Sequence, residues 1–353
     1  MRIAYIGPAK GTSLQRAKAL IRLGHKLKHI DPWSWSGKPR MMEFWIYRGG
    51  GLWLDYLAHD RILREVVEHA PDLIWINQGE WFGPRVARSL RNVGVPLVNY
   101  TNDNPFGEKS GRRFRNYIAA IPDYDLHVVT FEENVEQLKA RGAKNVIRVF
   151  LCADEVVHKS QTLNKADYQK YGSEVSYISQ WYSERGPFIV QLIESGIPLS
   201  LWGDRWHKAP EWPLIAPIWK GPGIYDGDGF SKVIQCAKVS LCLLSKYNRN
   251  QHTDRSMIIP TLGTLLCAER TREHESLYTD GTEAVFFDNA EDCAQLCKEM
   301  LNDNTRRTEI AHRGYERALK NNLFNEPVMK WIIDVAMGRA TSEDQRPFFT
   351  GAS

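Results

Sequence analysis

The chain contains no Cys-x-x-Cys pair among its six cysteines (Cys152, Cys236, Cys242, Cys267, Cys293 and Cys297), so the usual spacings of zinc ribbons and dithiol redox centres are missing. Cys293 and Cys297 would share a helix face, but no histidine neighbours them as a metal ligand should. Several thiols sit inside apolar runs such as "SLCLLS" and "TLLCAE", which predicts buried free cysteines in a reducing cytosol rather than disulfides. No apolar run reaches the roughly 18 residues of a membrane span, and charged Arg2 opens a strand, so neither a transmembrane helix nor a signal peptide is expected. A concentrated basic stripe is also lacking. The net charge is +4, and the basic clusters, "GRRFR" at 111–115 and "TRR" at 305–307, read as solvated faces, which disfavours nucleic-acid binding. Finally, there is no G-x-G-x-x-G. The first loop carries Gly7-x-x-x-Gly11 with no third glycine, which weakens a dinucleotide dehydrogenase, although Asp31 ends the second strand where a ribose-binding acid would sit.

What is present suits two domains: 353 residues, more than one typical core holds. Hydrophobic residues make up 43% and charged residues 25%, as in an ordinary globular protein. Twelve tryptophans are many, and they concentrate in 31–57 and 201–220. Core packing accounts for part of them. The polar neighbours of the rest suggest surfaces that stack on sugars or meet a lipid interface.

The opening, "MRIAYIGPAKGTSLQRAKALIRLGHKLKHID", reads as strand, glycine loop, helix, glycine stop and strand. Thr12 or Ser13 is expected to cap the helix, with Leu14, Ala17, Leu20 and Ile21 as its buried stripe and Gly24 as its end. Further strands are predicted at 72–76, 96–100, 125–130 and 145–150, separated by polar or helical segments as parallel crossovers require. The rhythm breaks over 152–173, an expected interdomain connection, and resumes with strands at 174–179, 198–203, 238–245, 263–268 and 283–287. The expected division is thus an N-terminal domain over 1–151 and a C-terminal one over 174–324, each Rossmann-like and doubly wound, facing a cleft. A helix over 325–337 is expected to return to the first domain, and 338–353 to form a mobile tail.

Several segments carry a family likeness. In the second half they are "SYISQWYSERGPFIVQLIESGIPLSLWGDRW", "DRSMIIPTLGTLLCAERTREHESLYTDGTEAVFFDNAEDC" and "IAHRGYERAL"; in the first, "PDLIWINQGEWF", "YTNDNPF" and "DLHVVTFEENVEQLKARGAKNVIRVFLCADEVVH". Together, over roughly residues 1–320, they resemble the spore-maturation (CgeB-type) glycosyltransferases, distant relatives of the retaining glycosyltransferases of family 4. The resemblance implies the GT-B fold, with a nucleotide-sugar donor held mainly by the C-terminal domain. It also implies transfer without a bound metal or cofactor, to a glycan, glycolipid or surface polymer, by a cytoplasmic and at most membrane-peripheral protein of polysaccharide biosynthesis. The rival expectations are a catalytically degenerate GT-B protein that binds a sugar or a partner transferase, and a transferase acting on nucleic acid.

Glycosyl transfer must stabilise a departing diphosphate, and arginine makes paired hydrogen bonds to phosphate oxygens. Arg185, in "SERGPF", stands where related transferases carry a phosphate-binding lysine, and Arg255 stands where the family has an arginine before the donor-site helix. Both are candidates for phosphate binding and catalysis. Gly7, Gly11, Trp181, Asp254, Gly263, Glu275 and Glu283 complete the expected donor side. Gly263 is read first as a helix end. The sequence departs from the family at Ile258, where a glutamate holds the donor ribose, and at Asn250, in place of an earlier glutamate. Glu269, Arg270, Glu273 and His274 join Glu275 and Glu283 as possible substitutes. For the acceptor, the loops after two strands offer Glu80, Trp81, Asn102, Asp103 and Asn104, with Asp103 as a candidate base or simply a turn former. The D-x-D within "YDGDGF" at 225–230 reads as turn chemistry rather than a metal site.

Overall fold

The computed structural model describes residues 1–35, 39–51, 53–107, 112–224, 228–246 and 248–341. Asp226 of the D-x-D triplet and the tail from 342 lie outside them. The chain forms two compact units. The first comprises residues 1–151, the short segment Asn248–Asn250 and the chain from Phe324; the second comprises 152–246 and 251–323.

The first unit is built on a parallel sheet of β1 (Arg2–Ile6), β2 (Lys26–Ile30), β3 (Leu73–Asn77), β4 (Leu97–Thr101), β5 (Leu126–Val129) and β6 (Val146–Arg148), in the order β2-β1-β3-β4-β5-β6. Every residue of β3 and β4 is buried, as expected of central strands covered by helices on both faces. The helices are α1 (Gly11–Arg22), α2 (Pro39–Gly49), α3 (Leu54–His69), α4 (Pro84–Arg91), α5 (Arg115–Ala120) and α6 (Glu132–Lys139). Two local expectations fail in α1. It starts at Gly11, in left-handed backbone, so Thr12 and Ser13 fall inside its first turn rather than capping it. Ile21 faces solvent, and the covered stripe runs instead through Ser13, Arg16, Ala17, Ala19 and Leu20. Asp31 is spent on the backbone: its carboxylate accepts from Ala9 N–H at 3.1 Å and Trp33 N–H at 2.9 Å.

The second unit holds β7 (Ser173–Ile178), β8 (Leu199–Trp202), β9 (Trp219–Gly221), β10 (Ala237–Cys242), β11 (Leu265–Glu269) and β12 (Val285–Phe287), all parallel in the order β12-β11-β10-β7-β8-β9. Its helices are α7 (Lys165–Tyr171), α8 (Arg185–Glu194), α9 (Trp212–Ile215), α10 (Asp228–Gln235), α11 (Asp254–Thr261), α12 (Arg272–Leu277), α13 (Ala290–Asn302) and α14 (Asn304–Asn321). Within the segment read as a connection, Asn164 and Asp167 form a reciprocal capping box that starts α7. The last helix, α15 (Asn325–Ala336), packs on α1 in the first unit.

Tryptophan placement resolves the double reading of that residue. Trp75, Trp81, Trp202, Trp206 and Trp331 are buried, and six more are packed against the two cores. Trp53 alone stands open, at 67% exposure. The 201–220 cluster is therefore core, and only the 31–57 cluster reaches the surface.

Candidate active site

The second sheet reverses its winding between β7 and β10, and in open parallel sheets the carboxyl ends beside such a reversal are where ligand crevices form. Four strands deliver residues to that edge. β7 leads into α8 through Glu184 and Arg185, β10 is followed by Leu243–Lys246, β11 ends at Glu269, and β12 runs on into Asp288–Ala290. Residues from all four line a cavity of about 280 Å³.

Arg185 is the first residue of α8 and is only 5% exposed. Its Nη1 donates to the Gln180 carbonyl at 2.9 Å and to Ser179 Oγ, and the guanidinium lies 4.7 Å above the Tyr182 ring. These contacts aim the side chain along the end of β7 and leave Nε buried without an acceptor among the described residues. Glu184, just before it, does not cap the helix, and both of its carboxylate oxygens are buried with no hydrogen-bond partner among the described residues. A buried acceptor pair left unpaired is costly, which marks a group arranged for a donor that the protein itself does not supply. Glu269 is half-buried and accepts from Leu244 N–H at 2.8 Å. Burial raises its carboxyl pKa, against the opposing pull of that hydrogen bond, Lys246 and Arg185.

The neighbouring helix α11 is fixed by a buried network. Thr253 and Ser256 form a reciprocal cap, with Thr253 N–H donating to Ser256 Oγ at 3.0 Å. Ser256 Oγ lies 2.7 Å from His274 Nε2, and His274 Nδ1 lies 2.6 Å from the Glu269 carbonyl. A carbonyl can only accept, so Nδ1 carries the proton and Nε2 accepts from the serine hydroxyl. Burial pushes this histidine down to about 4, and it stays neutral. Asp254 and Arg255 open the helix, with Arg255 Nη1 3.7 Å from Asp254 Oδ1. Burial raises the pKa of the buried Tyr177 phenol of β7, against the opposing pull of Arg185 and Arg255; Arg255 is not among the residues lining the cavity. Ile258 is 1% exposed and belongs to the packed side of α11.

Other residues expected on the donor side sit elsewhere. Gly263 ends α11 in left-handed backbone before β11 begins, at the opposite end of that strand from the cavity. Glu275 does not line the cavity; it pairs at 3.1 Å with Arg270, which also binds Asp280 and the cavity-lining Asp288. Glu283 accepts from Thr279 N–H at 2.8 Å and so braces a turn. Glu273 is held by His252. Trp181 packs on the core and donates its backbone N–H to Asp204 O. Of the acids considered as substitutes for the missing ribose glutamate, Glu269 lines the cavity. Glu184, Lys246 and Gln191 line it too, and sequence reasoning passed over them. The available signal for Glu184 was its place immediately before Arg185, at a helix start.

In the first unit, Gly7 is required by packing: a Cβ there would meet Asn77 Cβ at 2.7 Å. Gly11 has open space around it and a left-handed φ. Three of the acceptor candidates, Glu80, Asn102 and Asp103, are joined in one network through Arg113 and Gln78. Arg113 Nη1 donates to Asp103 at 2.7 Å, Nε donates to Glu80 at 2.9 Å, and Glu80 is 5% exposed. Burial alone would lower the Arg113 pKa, but Glu80 and Asp103 outweigh it and raise it. Gln78, held at φ 77°, contacts Asp103 at 3.4 Å and accepts from Asn102 N–H at 3.3 Å. Asn104 is 1% exposed, and its backbone N–H donates to Asn248. Trp81 is 5% exposed and packs edge-on to Trp33 at 5.3 Å, so it presents no face to a ligand.

Buried thiols Cys267, Cys293 and Cys297 lie within 4.8 Å of one another. They share the apolar cluster of Val285, Phe287 and Met300. No helix among the described residues is long and apolar enough to cross a membrane.

The two six-stranded parallel sheets with interleaved helices are those of the GT-B class. Solved structures share them at low identity. HepE of Anabaena in complex with UDP-glucose aligns with a TM-score of 0.67 and 13% identity, covering 96% of this chain and 100% of that one. Sucrose-phosphate synthase from Thermosynechococcus elongatus gives 0.68 and 13%, again covering 96% and 100%. A glycosyltransferase from Rickettsia africae gives 0.62 and 11%, covering 96% and 98%. A family model described as glycosyl transferase-like matches residues 185–332, beginning at Arg185 itself. The chain thus has the GT-B fold, and its second unit carries the glycosyl transferase-like likeness. Comparison with curated proteins returns no match.

Proposed function

We propose that the chain transfers a glycosyl group from a nucleotide-activated sugar, with the donor held at the carboxyl edge of the second sheet. The observation that carries this reading is the pairing of Arg185 with Glu184 at the start of α8, a guanidinium for diphosphate beside a carboxylate with two vacant acceptor positions. A helix start adds uncapped N–H groups that favour anionic oxygens. Ile258 cannot accept a hydroxyl, and Glu184 and Glu269 are the carboxylates we assign to the donor's hydroxyl groups instead. Basic side chains then stabilise the leaving diphosphate without a bound metal, and the family likeness favours retention of configuration at the anomeric carbon. The acceptor class is a glycan, glycolipid or surface polymer, received on the first unit near Asp103 and Glu80. Among glycosyltransferases, the sequence likeness favours the CgeB-type enzymes.

Titration with UDP, GDP, dTDP, ADP and CMP during thermal unfolding tests the donor site. A nucleotide at ten times its dissociation constant should stabilise the protein by about 1.4 kcal/mol. No shift with any of them at millimolar concentration would remove the reading. Slow donor hydrolysis, unaffected by chelator, separates a metal-independent transferase from a degenerate binder, which Ile258 would otherwise favour.

A further inference from the structure

Thirteen large apolar side chains stand exposed among the described residues, and six of them fall within 41–57: Met41, Phe44, Tyr47, Trp53, Tyr56 and Leu57. Chance scatter of exposed apolar residues needs no explanation, but a cluster does. Met41, Phe44 and Arg48 recur at helical spacing on one side of α2, while Ile46 turns into the core. Trp53, Tyr56 and Leu57 do the same on the first turn of α3. The open hollow on α2, about 580 Å³, is walled almost entirely by Met41, Met42, Phe44 and Trp45, with Arg48 at its rim. Trp53 is held at φ 70°, a conformation bulky residues rarely adopt, and is nevertheless presented to solvent.

Charge identifies the occupant. Arg48 lies 5.9 Å above the Phe44 ring and Arg85 5.0 Å above Tyr56, while Arg61, 4.1 Å above Trp35, is paired with Glu65 at 3.3 Å. Asp55, the acid in the middle of the patch, is buried and accepts from the N–H groups of Gly83, Arg85 and Val86, so it does not neutralise the rim. Glu43 and Asp60 are the exposed acids nearby. Methionine, leucine and aromatic rings bordered by arginine match an interface that is apolar below and anionic above. A sugar platform would instead need hydrogen-bonding groups around its ring, which Met41, Met42 and Leu57 do not offer.

We propose that the exposed face of α2 and the first turn of α3 dock the first unit onto the surface of an anionic phospholipid bilayer. The proposal stands apart from donor binding in the second unit, so vesicle binding and nucleotide binding fail separately. The test is flotation of the full chain with vesicles of pure phosphatidylcholine and with vesicles carrying about one-third phosphatidylglycerol. Wild type should float with the anionic vesicles and far less with the zwitterionic ones. Phe44→Ser combined with Trp53→Ser, and separately Arg48→Glu combined with Arg85→Glu, should each lower the bound fraction by roughly tenfold at unchanged Tm. Equal binding to both vesicle types, no flotation, or variants that float like wild type would each overturn the proposal. A wild-type dimer in lipid-free sedimentation that the variants dissolve, without any flotation, would also overturn it and assign the face to a second copy of the chain.

Discussion

Glu184 and Arg185 are adjacent in sequence and opposite in what they want from a ligand. Arg185 is already anchored by Gln180 and Ser179, so it is pre-set for an anion. Arg185→Ala should weaken nucleotide binding at least tenfold, on the order of 1.5–3 kcal/mol for a charge-assisted contact. Glu184 carries a cost that the free protein does not recover, because both of its oxygens are buried with no partner among the described residues. Glu184→Gln should therefore raise the melting temperature of the free protein while lowering affinity for the nucleotide sugar. Calorimetric titration and thermal unfolding of the same variant check both halves, and a variant with lower Tm and unchanged affinity would place Glu184 among purely structural residues. In the first unit, Arg113→Ala leaves Glu80 buried and uncompensated, and urea unfolding should report a loss of about 3 kcal/mol.

Elements are held by neutral histidines and close approaches. His127 of β5 accepts from Tyr117 Oη at Nδ1 and donates from Nε2 to the Ile121 carbonyl, and burial pushes it down to about 4, as it does His274 beside α11. In the unfolded chain both rings titrate near their ordinary value of about 6.5. Between these values the unfolded state binds more protons, so the stability of both rings is fully present above about pH 6.5 and is lost as pH falls toward 4. Urea midpoints at pH 7.5, 5.5 and 4.5 should fall in that order, by on the order of 3 kcal/mol per histidine over the window. In α14, a Cβ on Gly314 would lie 2.3 Å from the Glu283 carbonyl oxygen, a backbone atom with no rotamer to yield. Gly314→Ala should cost about 1–3 kcal/mol. Such approaches explain what was legible. Apolar runs set the strands, and β3, β4 and β11 fall within one or two residues of expectation because sheet interiors require those runs. β9 and α2 went unforeseen, since a three-residue edge strand and a helix with an exposed apolar face carry no ordinary burial pattern. Of the two arginines singled out in the sequence, Arg185 lines the cavity and Arg255 does not. Glu184 was not legible, because an acid at a helix start looks like a routine dipole partner until its oxygens are seen to lack donors.

At the scale of the whole molecule, chain order and unit membership part company at the C-terminus. α15 follows α14 of the second unit directly, yet its Val328, Met329, Trp331, Ile332 and Ile333 are buried and the helix packs on α1 of the first. Glu326 at its start pairs with Arg22 at the end of α1. Five large side chains at about 2 kcal/mol each amount to roughly 10 kcal/mol, comparable to the whole stability of a domain. Ending the chain after Leu323 should therefore unfold the first unit and spare the second, whose sheet, α11 and α14 remain intact. Calorimetry of the shortened chain should keep a single transition, and limited proteolysis should leave a protected fragment beginning near Cys152. If both units survive the truncation with unchanged transitions, α15 is an accessory to the first unit rather than part of its core.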